Sequence, residues 1–278
     1  MPEYTPLAKW TLITSWTLTV LGFLSTALSV FVYRKVGFDV ALVIVSFILA
    51  TILVTLSTWA IVDEGQGMHE QDISTAQLDH MAKSLLVSEA LWSIVNSLMR
   101  IAACLFLRKI FKVCDRFRLL AILMLLSGLL AIASVLQVFL MCRPFAASWD
   151  KTIPGTCGNQ MISFMVFESF GLALDVAILA IPAWQIMMLR LSFRSRLEVI
   201  ALLDVGVIVL VVSGLRIKAL YNAVSQDFSY SNSYMSLLSA VGTMIGIICC
   251  GFPALRSITT RRKQEPHEQL ADMDEHKR

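Results

Sequence analysis

The amino-acid sequence predicts an all-α fold, a polytopic membrane bundle of seven transmembrane helices, from its composition and from the length of its apolar runs. Of the 278 residues, 57% are hydrophobic and only 15% are charged, and the mean hydropathy is +0.73. A soluble domain carries about 25% charged residues, so this excess of apolar side chains is too large for a protein interior alone. Lipid must solvate part of the surface, and we expect a multi-pass integral protein of the plasma membrane or an endomembrane.

The predicted helices follow from the length that a bilayer requires. An α-helix needs about 20 mainly apolar residues to cross the hydrocarbon core. Seven stretches meet this requirement and predict helices at about 11–33, 38–61, 84–107, 119–141, 161–189, 197–220 and 233–253. Short connections separate them, so we expect one membrane domain over residues 1–256 and a polar cytosolic tail over residues 257–278.

Lysine and arginine are distributed unequally between the two sides of the predicted bundle. One side, which includes the loop Arg108–Arg118 and the tail, carries 16 of these residues, whereas the opposite side carries four. Because Lys and Arg accumulate in cytoplasmic loops, the N-terminus is predicted outside and the C-terminus in the cytosol. Topology and lipid headgroups account for the basic clusters, so we expect the lipid bilayer, and no nucleic acid, as their partner.

Six of the ionisable residues in the predicted helices form the intramembrane pattern, and each charged group inside the membrane costs about 2.5–3.5 kcal/mol. Counted from the helix ends at a rise of about 1.5 Å per residue, they fall into two layers. The inner layer, nearer the cytosol, contains Arg100, Asp175 and Asp204, and the outer layer contains Glu89, Glu168 and Arg216. We interpret the inner layer as a structural ion layer that joins the third, fifth and sixth helices.

The outer layer predicts a ligand pocket near the outer leaflet. It contains two acids and one base, so one carboxyl group is expected to lack a charged partner and to be able to donate a proton. Glu89 and Glu168 are therefore candidate catalytic acids. Trp92 and Arg216 are expected to line the same pocket, with a lid formed by the loop Gly65–His69.

Two cysteines, Cys142 and Cys157, are separated by 15 positions in one predicted outer loop. The outer side is oxidising, so we expect a disulfide bond between them across the connection of the fourth and fifth helices. The histidine and carboxylates near His69 match no specific metal motif, and we expect neither a metal site nor a cofactor. Retinal needs a lysine for its Schiff base, and the predicted seventh helix contains none.

Six short patches occur in order along residues 38–256. They are Gly65-x-Gly67-x-His69, Glu89 with Arg108–Phe111, Cys142–Pro144 with Trp149, Asp150 and Cys157, Asp175 with Pro182, Gly206 with Arg216, and Ile247–Arg256. In this order and spacing they resemble the fungal rhodopsin-like integral membrane proteins, which include the satratoxin-cluster membrane protein family. The sequence departs from that pattern at three positions. Only Asp39 stands where the family usually has Asp-Asp-Trp, Arg100 replaces a usual lysine, and Thr243 replaces a usual glutamate.

The resemblance implies a fungal source and a role in small-molecule biology, chiefly of secondary metabolites. The first interpretation is a receptor-like protein that binds a lipophilic small molecule without retinal. It rests on the seven-helix topology and on the basic loop Arg108–Arg118, whereas the short cytosolic loops and tail offer little surface for a cytosolic signalling partner. The alternative is a membrane enzyme that uses the outer layer for acid-initiated cyclisation of a terpenoid or polyketide-derived intermediate. An accessory or transport role ranks third, because the chain lacks the two inverted halves usual in transporters.

The charge distribution generates a prediction about topology. Epitope tags should place Met1 outside and Arg278 in the cytosol, because the side rich in Lys and Arg remains cytosolic. Selective permeabilisation of the plasma membrane, followed by antibody labelling, measures this directly. A C-terminal tag that is accessible only from outside would contradict the assignment of inner and outer layers.

Overall fold

A computed structural model describes residues 5–33, 37–68, 74–110, 117–150, 152–188, 193–223 and 231–251, and these residues form a bundle of seven α-helices. The helices are α1 (Pro6–Tyr33), α2 (Phe38–Val62), α3 (Thr75–Ile110), α4 (Phe117–Leu140), α5 (Gln160–Met188), α6 (Phe193–Ala223) and α7 (Ser231–Gly251). The predicted all-α class and the number of helices are confirmed. The predicted tail, residues 257–278, lies outside the described residues.

Helix α3 begins at Thr75, nine residues before the predicted start at residue 84. Ser74 caps it: the Gln77 backbone N–H donates to Ser74 Oγ at 3.4 Å, and the Ser74 backbone N–H donates to Gln77 Oε1 at 3.1 Å. This reciprocal pair is a capping box, which marks the start of a helix regardless of lipid. The 36 residues of α3 span about 54 Å, which exceeds the hydrocarbon core of about 30 Å. The apolar pattern therefore predicts only the part of α3 that lies in lipid.

Six of the seven helices are long and apolar enough to cross a membrane, and α6 is the exception within the described residues. Helix α6 carries Asp204, Arg216 and Lys218 between its apolar residues. Large apolar side chains on the outside of the bundle stay exposed, among them Leu125 on α4 and Val211 on α6, as expected where lipid rather than protein covers them. The chain is a multi-pass integral membrane protein, as the sequence predicts.

Helix α3 lies at the centre of the bundle, where it packs against α2, α4 and α5, while α5 packs against α6. Among the six candidate spans, α7 has the largest buried share. A glycine permits the contact of α5 with α6, because a Cβ atom at Gly206 would lie 2.3 Å from Leu179 Cδ1. The interior of the bundle is therefore built around α3 and α7.

The connection between α4 and α5 is a small, cross-linked unit. Two short antiparallel strands, β1 (Cys142–Arg143) and β2 (Thr156–Cys157), pair so that the two cysteines are opposite each other. A disulfide bond joins Cys142 to Cys157, whose Cα atoms are 4.2 Å apart. This bond closes the connection at the same end of the bundle as the α2–α3 loop, and we call this end the disulfide end.

The disulfide should stabilise the bundle by restricting the unfolded chain. Closing a loop of 15 residues is worth about 3 kcal/mol at 25 °C in the chain-entropy account. We therefore expect Cys157→Ser to lower the thermal unfolding midpoint of the purified protein, measured by fluorescence-detected size exclusion. A reductant should lower the midpoint of the wild type and leave that of the variant unchanged. Equal sensitivity of both proteins to the reductant would contradict the prediction, as would two free thiols in non-reduced peptides.

Candidate functional site

Two stripes of residues face each other across the interior of the bundle. The stripe on α3 comprises Glu89, Trp92, Asn96 and Arg100, and the stripe on α5 comprises Glu168, Gly171 and Asp175. Their members follow at intervals of three or four residues, so each stripe occupies one face of its helix. The stripes meet at two levels, of which the first lies nearer the disulfide end and the second nearer the opposite end.

At the first level, Arg216 of α6 contacts both predicted acids. Its Nη2 pairs with Glu89 and its Nη1 with Glu168. Its Nε donates a hydrogen bond to Ser239 Oγ at 2.9 Å, and Trp92 Nε1 donates to Glu168 Oε1 at 2.5 Å. The expectation that one acid lacks a charged partner is wrong, because a single guanidinium group, with five N–H donors, serves both carboxylates. We call these five residues the Arg216 cluster.

The Arg216 cluster is tightly enclosed. The Arg216 side chain is only 2% exposed, and its guanidinium carbon lies 4.2 Å from the centre of the Trp92 ring, within the range of a cation–π contact. The cavities that touch Glu89 have volumes of about 30 and about 20 Å³. Since one water requires about 10–15 Å³, each can hold one or two water molecules. These described residues form a packed ionic junction of α3, α5, α6 and α7.

At the second level, Arg100 of α3 pairs with Asp175 of α5. Arg100 Nε donates to Asp175 Oδ1 at 2.7 Å, and Arg100 Nη2 donates to Asp175 Oδ2 at 3.0 Å. This parallel pair of charge-assisted hydrogen bonds is the strongest geometry available to arginine and a carboxylate. Gly171 makes room for it, since a Cβ atom there would lie 2.8 Å from Arg100 Nη2.

Asp204, the third member of the predicted inner layer, is not part of this level. Its side chain is exposed on α6, and the ion pair that the described residues show for Arg100 is with Asp175. The helical repeat explains the difference. Asp204 and Arg216 are 12 residues apart, which turns them about 120° from each other around α6. Because Arg216 points into the bundle, Asp204 points away from it, and this angle is a signal that the sequence already contains.

A cavity larger than the two beside Glu89 lies at the second level. Its volume is about 170 Å³, and α1, α2, α3, α5, α6 and α7 all contribute to its wall. Arg100 and Asp175 line it together with mainly apolar residues such as Met99 and Ile178. The sequence predicts the ligand pocket at the first level, around Glu89 and Glu168. The ligand-sized space instead borders Arg100 and Asp175, which the sequence analysis assigns to a structural ion layer. We call it the Arg100 cavity.

The three positions that depart from the family pattern all line the Arg100 cavity. They are Asp39 on α2, Arg100 on α3 and Thr243 on α7. The Thr243 hydroxyl donates to the Ser239 carbonyl oxygen at 2.8 Å, so this side chain is held against its own helix. These three departures from the pattern therefore border one space between the helices.

The described part of the connection between α2 and α3, residues 63–68, lies at the disulfide end, and its role as the lid of a pocket stays a prediction. Gly65 and Gly67 have positive φ angles of 74° and 95°, which glycine adopts without steric cost. Gln66 is buried, and its Nε2 donates to Ser236 Oγ of α7 at 2.8 Å. Burial raises the pKa of the neighbouring Glu64 carboxyl group, and a hydrogen bond from Ser84 at 3.0 Å partly opposes that rise. His69, the predicted end of the lid, lies outside the described residues.

Small residues of α7 were missed in the sequence analysis. Gly242 and Gly246 have the GxxxG spacing that lets two membrane helices approach closely. A Cβ atom at Gly242 would lie 3.2 Å from the Trp92 ring of α3, and one at Gly246 would lie 3.6 Å from Met99 Cε. Both glycines line the Arg100 cavity. The motif indicates that another helix approaches α7 closely, and the structure identifies that helix as α3.

These features define a seven-helix integral membrane protein with ion pairs in its interior and an apolar cavity beside one of them. The family model of the fungal rhodopsin domain matches residues 25–261. Because this match covers most of the chain, the protein belongs to the fungal rhodopsin domain family, and the resemblance found in the sequence is confirmed. No solved structure gives a significant match.

Two curated relatives are similar to the chain. The wortmanamides biosynthesis cluster protein C of Talaromyces wortmannii is 24% identical over 243 residues, which cover 84% of this chain and 66% of that protein. A SAT4 family membrane protein of Emericella nidulans is 25% identical over 146 residues, which cover 51% of this chain and 38% of that protein. The chain therefore spans less than two thirds of the length of each relative. One of these relatives is named for a biosynthesis cluster.

The charges of the Arg216 cluster predict unequal effects of substituting its members. Arg216→Leu leaves two buried carboxylates without their cation, and breaking a buried pair in this way costs about 3–5 kcal/mol. Glu89→Gln leaves one guanidinium with one carboxylate, so its cost should be clearly smaller. Thermal unfolding midpoints in lipid nanodiscs, together with the yield of folded protein, measure both effects.

Lys218→Leu is the matched control, because Lys218 is an exposed cation on the same helix. We expect its midpoint to equal that of the wild type. A Glu89→Gln variant as unstable as Arg216→Leu would show that the cluster depends on both acids, and the prediction would be wrong.

Proposed function

We propose that this protein binds a lipophilic small molecule of fungal secondary metabolism in the Arg100 cavity, as a receptor-like protein without retinal. One observation carries this proposal: a mainly apolar space of about 170 Å³ between the helices has the Arg100–Asp175 ion pair in its wall. Apolar walls with a few precisely placed polar groups are the usual composition of small-molecule sites in proteins.

The size of the cavity supports this function. At about 10–15 Å³ for each water-sized group, 170 Å³ corresponds to on the order of ten such groups. That is the scale of a small terpenoid or polyketide-derived compound. A ligand of this kind partitions into lipid, and the cavity lies at the depth of the membrane-spanning segments.

The chemistry of the first level supports binding over acid catalysis. Cyclisation initiated by Glu89 or Glu168 requires a carboxyl group in contact with substrate. Both carboxylates contact Arg216, and the spaces beside Glu89 are of water size. The enzyme alternative would therefore need these described residues to separate before a substrate could reach either acid.

Similarity to known proteins supports the choice of ligand class. One relative is named for the wortmanamides biosynthesis cluster, which associates that protein with production of a secondary metabolite. Carried over to this chain, the association favours a cluster product or intermediate as the ligand. The relative's name specifies neither a reaction nor a binding site. The location of the proposed site therefore rests on the cavity, and the ligand class rests on the similarity.

A glycine-to-leucine pair of variants tests the proposal. Gly246→Leu should fill the Arg100 cavity, because Gly246 lines it and a Cβ atom there meets only Met99 Cε, at 3.6 Å. Gly128→Leu on α4 is the matched control, since nothing lies within 4 Å of its added Cβ. Each variant replaces a helical glycine with leucine, so the gain in helix propensity, about 1 kcal/mol, is similar.

The measurement uses protein purified from a fungal host that produces secondary metabolites, reconstituted in nanodiscs. Small molecules retained by the protein are extracted and quantified by mass spectrometry. Wild type and Gly128→Leu should retain the same compound in near-stoichiometric amount, and Gly246→Leu should retain at least tenfold less while keeping its thermal midpoint. Equal retention by all three proteins, or no retained compound in the wild type, would contradict the proposal. Conversion of an added pathway intermediate by the purified wild type would instead favour the enzyme alternative.

A further inference from the structure

We propose that the Arg100 cavity selects a neutral ligand, one with an apolar skeleton and a carbonyl-type oxygen that accepts a hydrogen bond from Arg100, and that it discriminates against carboxylic acids. This inference names the ligand class of the cavity and rests on the proposed function. It follows from the geometry of the ion pair, from the charges around the cavity and from the composition of its wall.

The ion pair leaves hydrogen-bond donors available. A guanidinium group has five N–H donors, and the parallel pairing with Asp175 uses one on Nε and one on Nη2. The terminal nitrogen Nη1 has no hydrogen-bond partner among the described residues, although Arg100 borders the cavity. Because Arg100 lines the cavity, an oxygen atom of a ligand can accept a hydrogen bond from these N–H groups.

The charges of the cavity wall disfavour an anion. Arg100 and Asp175 cancel each other, so the pair presents donors without a net positive charge. Asp39, another carboxylate in the wall, has an interaction of its own and adds no positive potential. A carboxylate ligand would bring an unneutralised charge into a mainly apolar space, which is strongly unfavourable. A ketone, ester, lactone or amide oxygen accepts the same hydrogen bond without that penalty.

A cationic ligand is disfavoured for a related reason. An ammonium group has donors and no acceptor, so it cannot pair with the N–H groups of Arg100. It would have to compete with Arg100 for Asp175 or with the existing interaction of Asp39, and separating Arg100 from Asp175 would leave a guanidinium ion buried without its partner. The neutral acceptor is therefore the ligand chemistry that leaves every group of the site paired.

Photo-affinity probes with one common skeleton test the inference. Each probe has a chain of twelve carbons with a diazirine at its middle, and the four probes end in a methyl ketone, a carboxylate, an ammonium group or a plain methyl group. They are added to the full-length protein in nanodiscs, irradiated, and located by peptide mass spectrometry. Labelling of cavity peptides is divided by labelling of α4, a lipid-facing helix that contributes nothing to this cavity, which corrects for unequal partition into lipid.

We expect the ketone probe to label the cavity at least tenfold more than the hydrocarbon probe, since a hydrogen bond to a charged donor is worth about a factor of ten or more. The carboxylate and ammonium probes should label it no more than the hydrocarbon does. The double variant Arg100→Leu with Asp175→Leu removes both charges together, which buried pairs tolerate far better than loss of one partner. In this variant the ketone and hydrocarbon probes should label the cavity equally.

The outcomes separate the inference from the proposed function. If all probes label the cavity equally in the wild type and Gly246→Leu abolishes that labelling, the cavity binds lipophiles and the selection of a neutral acceptor is overturned. Preferential labelling by the carboxylate or the ammonium probe overturns it as well, as does a ketone preference that persists in the double variant. If no probe labels the cavity above α4, the proposed function fails together with the inference.

Discussion

Arg216 needs a compensating negative charge at a depth where neither bulk water nor lipid tails can solvate it, and the arrangement of the bundle depends on how that need is met. Its guanidinium group contacts Glu89 on α3 and Glu168 on α5, while Ser239 of α7 accepts a further hydrogen bond. Removing one partner would leave a buried charge uncompensated, so these helices must stay in contact at this point for the folded bundle to be stable. Helix rotation is constrained as well, because each partner must face the same point.

The two levels of charged residues differ in the space around them. The Arg216 cluster is surrounded by water-sized spaces, whereas the Arg100–Asp175 pair borders the larger cavity. The ion pair occupies the Asp175 carboxylate but uses only part of the N–H donors of Arg100. The same interaction can therefore join α3 to α5 and leave hydrogen-bond donors for a ligand. The glycines of α5 and α7 make this geometry accessible, because they let the helix backbones approach the large side chains of α3.

The three positions that depart from the family pattern lie close together in the structure. Asp39, Arg100 and Thr243 come from three helices that are far apart in sequence, and they border one cavity. A lysine at the position of Arg100 would offer a compact ammonium group and could not form the parallel pair with Asp175. The three departures change polar groups in the wall of the cavity, and none of them belongs to the Arg216 cluster.

The sequence by itself determined the membrane character, the number and approximate bounds of the helices, and the set of charged residues that the membrane must contain. These properties are local, since hydropathy, capping and a period of 3.6 residues are read along one helix. The sequence could also have excluded Asp204 from the interior, through its angle to Arg216. Only the tertiary structure decided that Arg216 serves both acids, that Arg100 pairs with Asp175, and that the larger space lies beside that pair. Those outcomes depend on how close and at what rotation separate helices pack, because the partners of Arg100 and Arg216 are 75 and 127 residues away along the chain.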